Sequence, residues 1–353
     1  MTNFQINPRL IEMLGTSTVP ESGQSEVQSL TISILPGKYV RSVYRNKKEI
    51  TQIFKENHHM LTCASCGRKG KYDLGLLMVN VDRNKDKEDG EPLHDLQMTG
   101  YFRCKHCNDA GNWILPDSVK MMALDGIIPF GAGLGDGNVE VGQNLLSDGS
   151  WHQYASDAEE HYFRLIEGNP DDSFLWNRLG NLYLSGNRPE LAMSAYEHSL
   201  TIDPGQVESH FKLGDVLMDI KDWSNAGKHF HQVLIQAQSY KFLSAEDLRE
   251  MLAVALQNLY IIHEMTSGEI PFLPSLDDMK KVGKLLEQGT QGTVDMELEI
   301  FPDRHDSFFP FAEMYMGERA KEIPLKNRTF SVPKVYHSPS KKKKQRKKRR
   351  KKK

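Results

Sequence analysis

Cysteine is scarce in this chain: 353 residues contain four, Cys63, Cys66, Cys104 and Cys107. So few thiols cannot form the disulfide framework that staples small secreted domains. Long apolar runs are missing as well. The densest, Gly75 to Val81, falls far short of the ~20 residues a membrane-spanning helix needs. The first residues, MTNFQINPR, lack the apolar core of a signal peptide. Hydrophobic residues make up 39% and charged residues 26% of the chain, so the expectation is a soluble, cytoplasmic protein without membrane insertion, nuclear only if the source is eukaryotic. The signatures HExxH, GxSxG and GxxxxGK[ST] do not occur. No small-molecule substrate is evident, and the chain reads as non-enzymatic.

Charge of one sign is missing only on average. The formal net charge is −2, yet twelve of the last 13 residues are basic: Lys341, Lys342, Lys343, Lys344, Arg346, Lys347, Lys348, Arg349, Arg350, Lys351, Lys352 and Lys353. Without them 33 basic residues face 47 acidic ones, so an acidic body carries a cationic tail. A tail with no apolar residue cannot fold alone, and its charge density suits RNA, DNA or a ribonucleoprotein through phosphate contacts without base selectivity. A nuclear-import address and folding back on the acidic body are the competing readings.

The pattern predicts an α+β multidomain chain: a small β zinc ribbon, then an α-helical repeat array, then a disordered basic tail. Residues 1–29 read as a flexible arm and 30–125 as the ribbon domain, with a strand over Leu30–Leu35, a helix over Tyr44–His59, strands over 71–81 and 96–103 joined by a polar hairpin tip, and a short helix over Asp117–Leu124. Residues 126–138, with Gly131, Gly133, Gly135 and Gly137, read as a linker. A helical domain is expected over 139–265, an extension with a strand near 294–301 over 266–339, and the polybasic tail over 340–353.

The cysteines form two C-x-x-C pairs separated by 37 residues. This resembles a zinc ribbon with an enlarged hairpin, built on C-x-x-C-G knuckles such as Cys63–Gly67. A two-residue gap aims both sulfurs at one point, and four thiolates at roughly 2.3 Å close the ion off from water, so the expected Zn²⁺ is structural. A rubredoxin-like iron site and a redox dithiol pair are the alternatives. Lys69, Lys71, Arg103 and Lys105, beside Tyr72, Tyr101 and Phe102, are expected to present a nucleic-acid or protein surface, unless the ribbon is only a brace.

A period of 34 runs through the helical half. Ala158, Ala192 and Ala226 repeat at that step, as do Tyr162, Tyr196 and Phe230, Pro170 and Pro204, and Leu179-Gly180 and Leu213-Gly214. Period and residues resemble the tetratricopeptide repeat over roughly 139–238, most fully in Trp176, Leu179, Gly180, Tyr183, Ala192, Tyr196 and Pro204. A degenerate helix near Val139–Leu146 would complete the first unit, and a capping helix is expected over Ser244–His263. The resemblance implies a groove for a protein or peptide partner on the inner helices, with Asn177, Asn181, Ser185, Lys212 and Asp215 as candidate contacts. The expected function is therefore an interaction or adaptor protein. The alternative is a zinc-ribbon nucleic-acid regulator that dimerises through its repeats.

Overall fold

The computed structural model describes residues 5–15, 32–80, 96–127, 138–281 and 299–329. It is a mixed α+β structure in which a small β-module precedes a helical array. Among the described residues the module has two three-stranded sheets. In the first, β1 (His58–Cys63) lies between β2 (Lys69–Asp73) and β5 (Trp113–Ile114), both antiparallel to it. In the second, β3 (Leu77–Val79) lies between antiparallel β4 (Leu96–Met98) and parallel β6 (Val139–Val141). Alternation along β1 buries Leu61 and Cys63 and exposes Met60, as a half-covered strand requires. Leu61, Tyr72, Phe102 and Trp113 form the module's core, the Tyr72 and Trp113 rings lying 4.7 Å apart. The sheets meet where Gly100 crosses Asp73: a Cβ on Gly100 would sit 2.3 Å from the Asp73 carbonyl oxygen, so no side chain fits.

Helix α1 is Pro8–Met13, α2 is Val40–Arg45 and α3 is Asp117–Ile127. The array comprises α4 (Ala155–Gly168), α5 (Ser173–Ser185), α6 (Pro189–Ile202), α7 (Val207–Asp219), α8 (Trp223–Gln236) and α9 (Ala245–Met265), followed by α10 (Leu276–Lys281) and α11 (Phe309–Met316). Local chemistry sets the boundaries. Asp172 accepts the amides of Phe174 and Leu175, Asp222 that of Asn225, and the Ser244 hydroxyl that of Asp247, while Pro189 occupies the first turn of α6. In the hairpins α5–α6 and α7–α8, Gly180 lies under Tyr196 and Gly214 under Phe230. A Cβ would approach those rings to 2.4 and 2.8 Å, which explains the small residue at this repeat position. No described helix is long and apolar enough to cross a membrane.

Several expectations are revised. Among the described residues the first unit has its second helix, α4, and no first helix. Residues 139–141 are strand β6, and the β-module stands where the first helix of that unit would be: Tyr101 meets Tyr183 edge-on at 5.3 Å and its amide bonds the Gly186 carbonyl. Module and array therefore share packing. The arm is ordered over 5–15, where Ile6, Leu10 and Ile11 are buried. The strand over Leu30–Leu35 gives way to a 3₁₀ turn at Ile32–Ile34, because Ile32 and Leu35, three apart, face the core together. The helix over Tyr44–His59 is replaced by α2, a 3₁₀ turn at Lys47–Glu49 and an irregular segment leading into β1; Val40 and Val43 are buried where α2 docks on α6. Residues 299–301 are irregular. The remainder of that strand, the hairpin tip, most of the Gly-rich stretch and the basic tail lie outside the described residues. At the far end, α11 packs on α9, secured by a buried Arg249–Glu313 ion pair at 3.2 Å.

Candidate functional site

Strand β1 ends at Cys63, and the loop after Phe102 carries Cys104. The four sulfurs lie within 4.8 Å of one another. Cys63 to Cys107 and Cys66 to Cys104 are both 3.7 Å. Four thiolates at ~2.3 Å from a tetrahedral ion lie ~3.8 Å apart, so the donor set fits one. The two turns are alike: Gly67 and Asn108 follow the second cysteine of each pair with φ of 71° and 58°, and their amides bond the carbonyls of Cys63 and Cys104 at 2.8 and 2.9 Å. Burial pushes the Cys107 thiol up to about 12. Burial acts on Cys104 in the same direction, but the amides of Cys107 and His106 together with the Cys107 and Cys66 side chains outweigh it and bring that thiol to about 7. Among the described residues, no histidine belongs to this cluster. Asn108 escaped the sequence reading, although its equivalence to Gly67 in the paired motif signals a left-handed residue.

The aromatic surface expected on the module is absent. Tyr72, Tyr101, Phe102 and Arg103 are buried because the first three fill the core and the junction with the array. Lys69, Lys71 and Lys105 are exposed, with the Lys105 ammonium over the Tyr72 ring at 5.0 Å. A hollow of about 220 Å³ at the junction is lined by Lys47, Lys71, Lys105 and Arg188 together with Glu56 and Asp73.

On the array, α5 and α7 carry the candidate groove residues. Asn177 is fully buried and donates to Ser209 (2.9 Å), while Asn181 accepts the Tyr196 hydroxyl (2.7 Å). Ser209 continues to Ser199, and Ser199 to the Ser173 carbonyl. Both asparagines thus belong to a polar seam linking α5, α6 and α7. The Ser185 hydroxyl returns to its own helix at the Asn181 carbonyl (3.0 Å). Lys212 and Asp215 are half-buried; burial raises the Asp215 carboxyl, opposed by Lys212.

Beside them stand residues the sequence reading did not select. Arg178 pairs with Glu208 and lies 4.2 Å over the Phe174 ring. Phe174 stacks on Phe242 at 4.9 Å, and Phe242 is 58% exposed. Phe174, Glu208 and Phe242 are spaced by 34, as are Arg178 and Lys212; extending the period beyond the signature positions would have found them.

The opposite face of the array is covered by the chain's own N-terminal segment. Arg9 pairs with Glu160 and Glu167 of α4. The amides of Lys38 and Tyr39, at the start of α2, bond Glu197 of α6 at 2.5 and 3.0 Å. On α8, Tyr39 meets His229 at 3.1 Å, and His229 Nδ1 meets His210 Nδ1 at 2.9 Å. His210 Nε2 donates to the Pro204 carbonyl (3.0 Å), so a neutral His210 accepts at Nδ1, His229 donates to it, and Tyr39 donates to His229. Burial lowers His210 to about 4 and His229 to about 3.

One carboxylate joins the N-terminal segment, the β-module and the first helices of the array. Glu159 of α4 is fully buried. Its Oε1 accepts the hydroxyls of Tyr101 (2.8 Å) and Tyr183 (2.7 Å), and its Oε2 accepts from Asn7 (2.7 Å) and Arg103 (3.2 Å). Burial raises its pKa against the pull of Arg103 and these hydrogen bonds. Its place on the apolar stripe of α4, between Ala155 and Phe163, is the sequence signal of an inward carboxylate.

No family model matches the chain. Among curated proteins it is similar to the peroxisomal targeting signal receptors of Candida glabrata (36% identity over 64 residues), Candida albicans (38% over 60) and Eremothecium gossypii (28% over 112). These matches cover 18%, 17% and 32% of this chain, and only 11%, 10% and 16% of the respective relatives.

Proposed function

We propose that the chain is a non-enzymatic adaptor that works in the cytosol and binds a protein or peptide on the inner face of α5, α7 and α9. One observation carries the reading: the outer face of α4, α6 and α8 is occupied by the chain's own N-terminal segment, whereas Phe174, Arg178, Glu208 and Phe242 pair and stack with one another and, among the described residues, make no hydrogen bond to that segment, with Lys212 and Asp215 half-buried. Similarity to proteins named as receptors for a targeting signal supports a peptide ligand. Such a ligand would lie extended, its charges exchanging with the Arg178–Glu208 pair and with Lys212 and Asp215, and its apolar side chains meeting Phe174 and Phe242. In the same proposal Cys63, Cys66, Cys104 and Cys107 hold one structural Zn²⁺ that braces the β-module.

The test is selection of peptides from a random display library against the full-length protein, followed by fluorescence anisotropy. Lys212→Glu and Phe242→Ala are expected to weaken the selected peptides at least tenfold without lowering the unfolding midpoint. An empty selection, or peptides indifferent to both variants, would refute the groove. For the tail, the proposal is attachment to RNA, DNA or a ribonucleoprotein, resting on the composition of Lys341–Lys353 alone. Removing residues 341–353 should abolish the salt-dependent retention of a non-specific oligonucleotide; retention that survives removal overturns it.

A further inference from the structure

We propose that metal occupancy of the four-thiol site controls the order of the array's first helices, α4 and α5, through Arg103 and Asn108. The inference rests on the reading that the thiolates hold a metal, and concerns what that metal does to the groove.

The second cysteine turn touches the array through the residues on either side of it. Arg103 directly precedes Cys104, and Asn108 directly follows Cys107. Asn108 is held left-handed by the turn, and its side chain donates to the Ile6 carbonyl at 2.8 Å. Its own carbonyl accepts from Arg103 Nε at 2.9 Å, which aims the guanidinium at Glu159. The Arg103 amide bonds the Gln5 side chain at 3.1 Å, and Asn7 reaches Glu159 directly. Residues 5–7 are thus strung between the thiol turn and the Glu159 carboxylate, with Tyr183 of α5 on the carboxylate's other oxygen.

With metal bound, the turn is fixed and Arg103 is pre-aimed. Once the metal is lost, four thiols crowded within 4.8 Å no longer share a central cation, and only the hydrogen bonds of Asn108 with Cys104, Ile6 and Arg103 remain to hold its left-handed conformation. Arg103 then loses its aim and Glu159 becomes a buried charge without its counter-ion, which a dry interior does not tolerate. The carboxylate regains solvation only if α4 and α5 loosen. Linkage is reciprocal, so docking of residues 5–7 in turn tightens metal binding. Because α5 carries Phe174 and Arg178, metal state becomes groove state. Helix α9 makes no bond to this network among the described residues and keeps its order.

The experiment is amide hydrogen exchange on the full chain before and after a strong zinc chelator, with metal content measured in parallel. Chelation is expected to speed exchange in 5–13, 155–166 and 173–185 at least tenfold while α9 changes less than twofold. In Arg103→Met/Glu159→Met, which replaces the buried pair with apolar side chains of similar volume, chelation should leave 173–185 unchanged. Asn108→Gly, which tolerates the left-handed turn, should keep the metal yet speed exchange in 5–13. Loss of protection confined to the β-module, or spread equally to α9, overturns the proposal. A chain that holds no metal and takes up none overturns the metal reading first, and the metal assay separates the two failures.

Discussion

Acidification should unfasten the N-terminal segment from the outer face of the array. His210 and His229 are neutral in the fold, with pKa values near 4 and 3 against ~6.5 in an unfolded chain. Because both folded values are depressed, the unfolded state takes up protons first. Their full stabilisation is present above pH ~6.5 and is lost as pH falls toward the folded values. At pH 5 each histidine lies ~1.5 units below its unfolded pKa, and at ~1.4 kcal/mol per unit the pair contributes a loss of about 4 kcal/mol. That is a large part of an ordinary stability of ~5–15 kcal/mol. The surrounding charges are Asp203 beside His210 and Lys38 and Lys228 beside His229; the lysines strengthen the effect and Asp203 moderates it. The assay is urea unfolding followed by circular dichroism at pH 7.5, 6.5, 5.5 and 5.0. In His229→Phe, which keeps the edge-on packing against Tyr39, stability at pH 7.5 should fall by about 1 kcal/mol from lost hydrogen bonds, and the slope between pH 6.5 and 5 should be roughly halved. Equal slopes in the two proteins would refute the reasoning.

Three further outcomes are expected. Gly180→Ala should destabilise by about 1–2 kcal/mol, since overpacking against Tyr196 exceeds the ~1 kcal/mol gain in helix propensity, whereas Gly214→Ala, with its longer approach to Phe230, should be near neutral; urea midpoints check both. Cys104→Ser should cost most of the binding free energy of a structural zinc, on the order of 10 kcal/mol, read as metal content well below one per chain and lost protection of β1 and β2 amides. Arg249→Ala should destabilise by ~3–5 kcal/mol because Glu313 stays buried, while Arg249→Met/Glu313→Leu should cost far less, as thermal unfolding would show.

The parts legible in the sequence are those whose physics is local. A helical hairpin packs residues a few turns apart, so its small and aromatic positions recur with the unit, and Gly180 under Tyr196 follows directly from the period. A C-x-x-C pair aims two sulfurs by itself, so the thiol cluster was visible from spacing. What could not be read depends on partners far along the chain. Asn7 is ordered by Glu159, 152 residues later; β6 is a strand because β3 accepts it; α2 starts where Glu197 takes its first amides. The candidate groove residues have partners that their spacing alone does not reveal. Asn177 lies in the interior, bonded to Ser209, while Asn181, held by the Tyr196 hydroxyl, is half-buried like Lys212 and Asp215.

The wrapping of the outer helices has a practical corollary for anyone cutting this gene. A fragment beginning at residue 139 would contain every described repeat helix, but it would leave the Glu159 carboxylate with Tyr183 alone of its four partners, and an adhesive flank along α6 where Val40 and Val43 had rested. Bait proteins trimmed to the repeats would stick to many things for reasons unrelated to their natural ligand. The smallest trustworthy unit starts ahead of residue 5 and runs past residue 329.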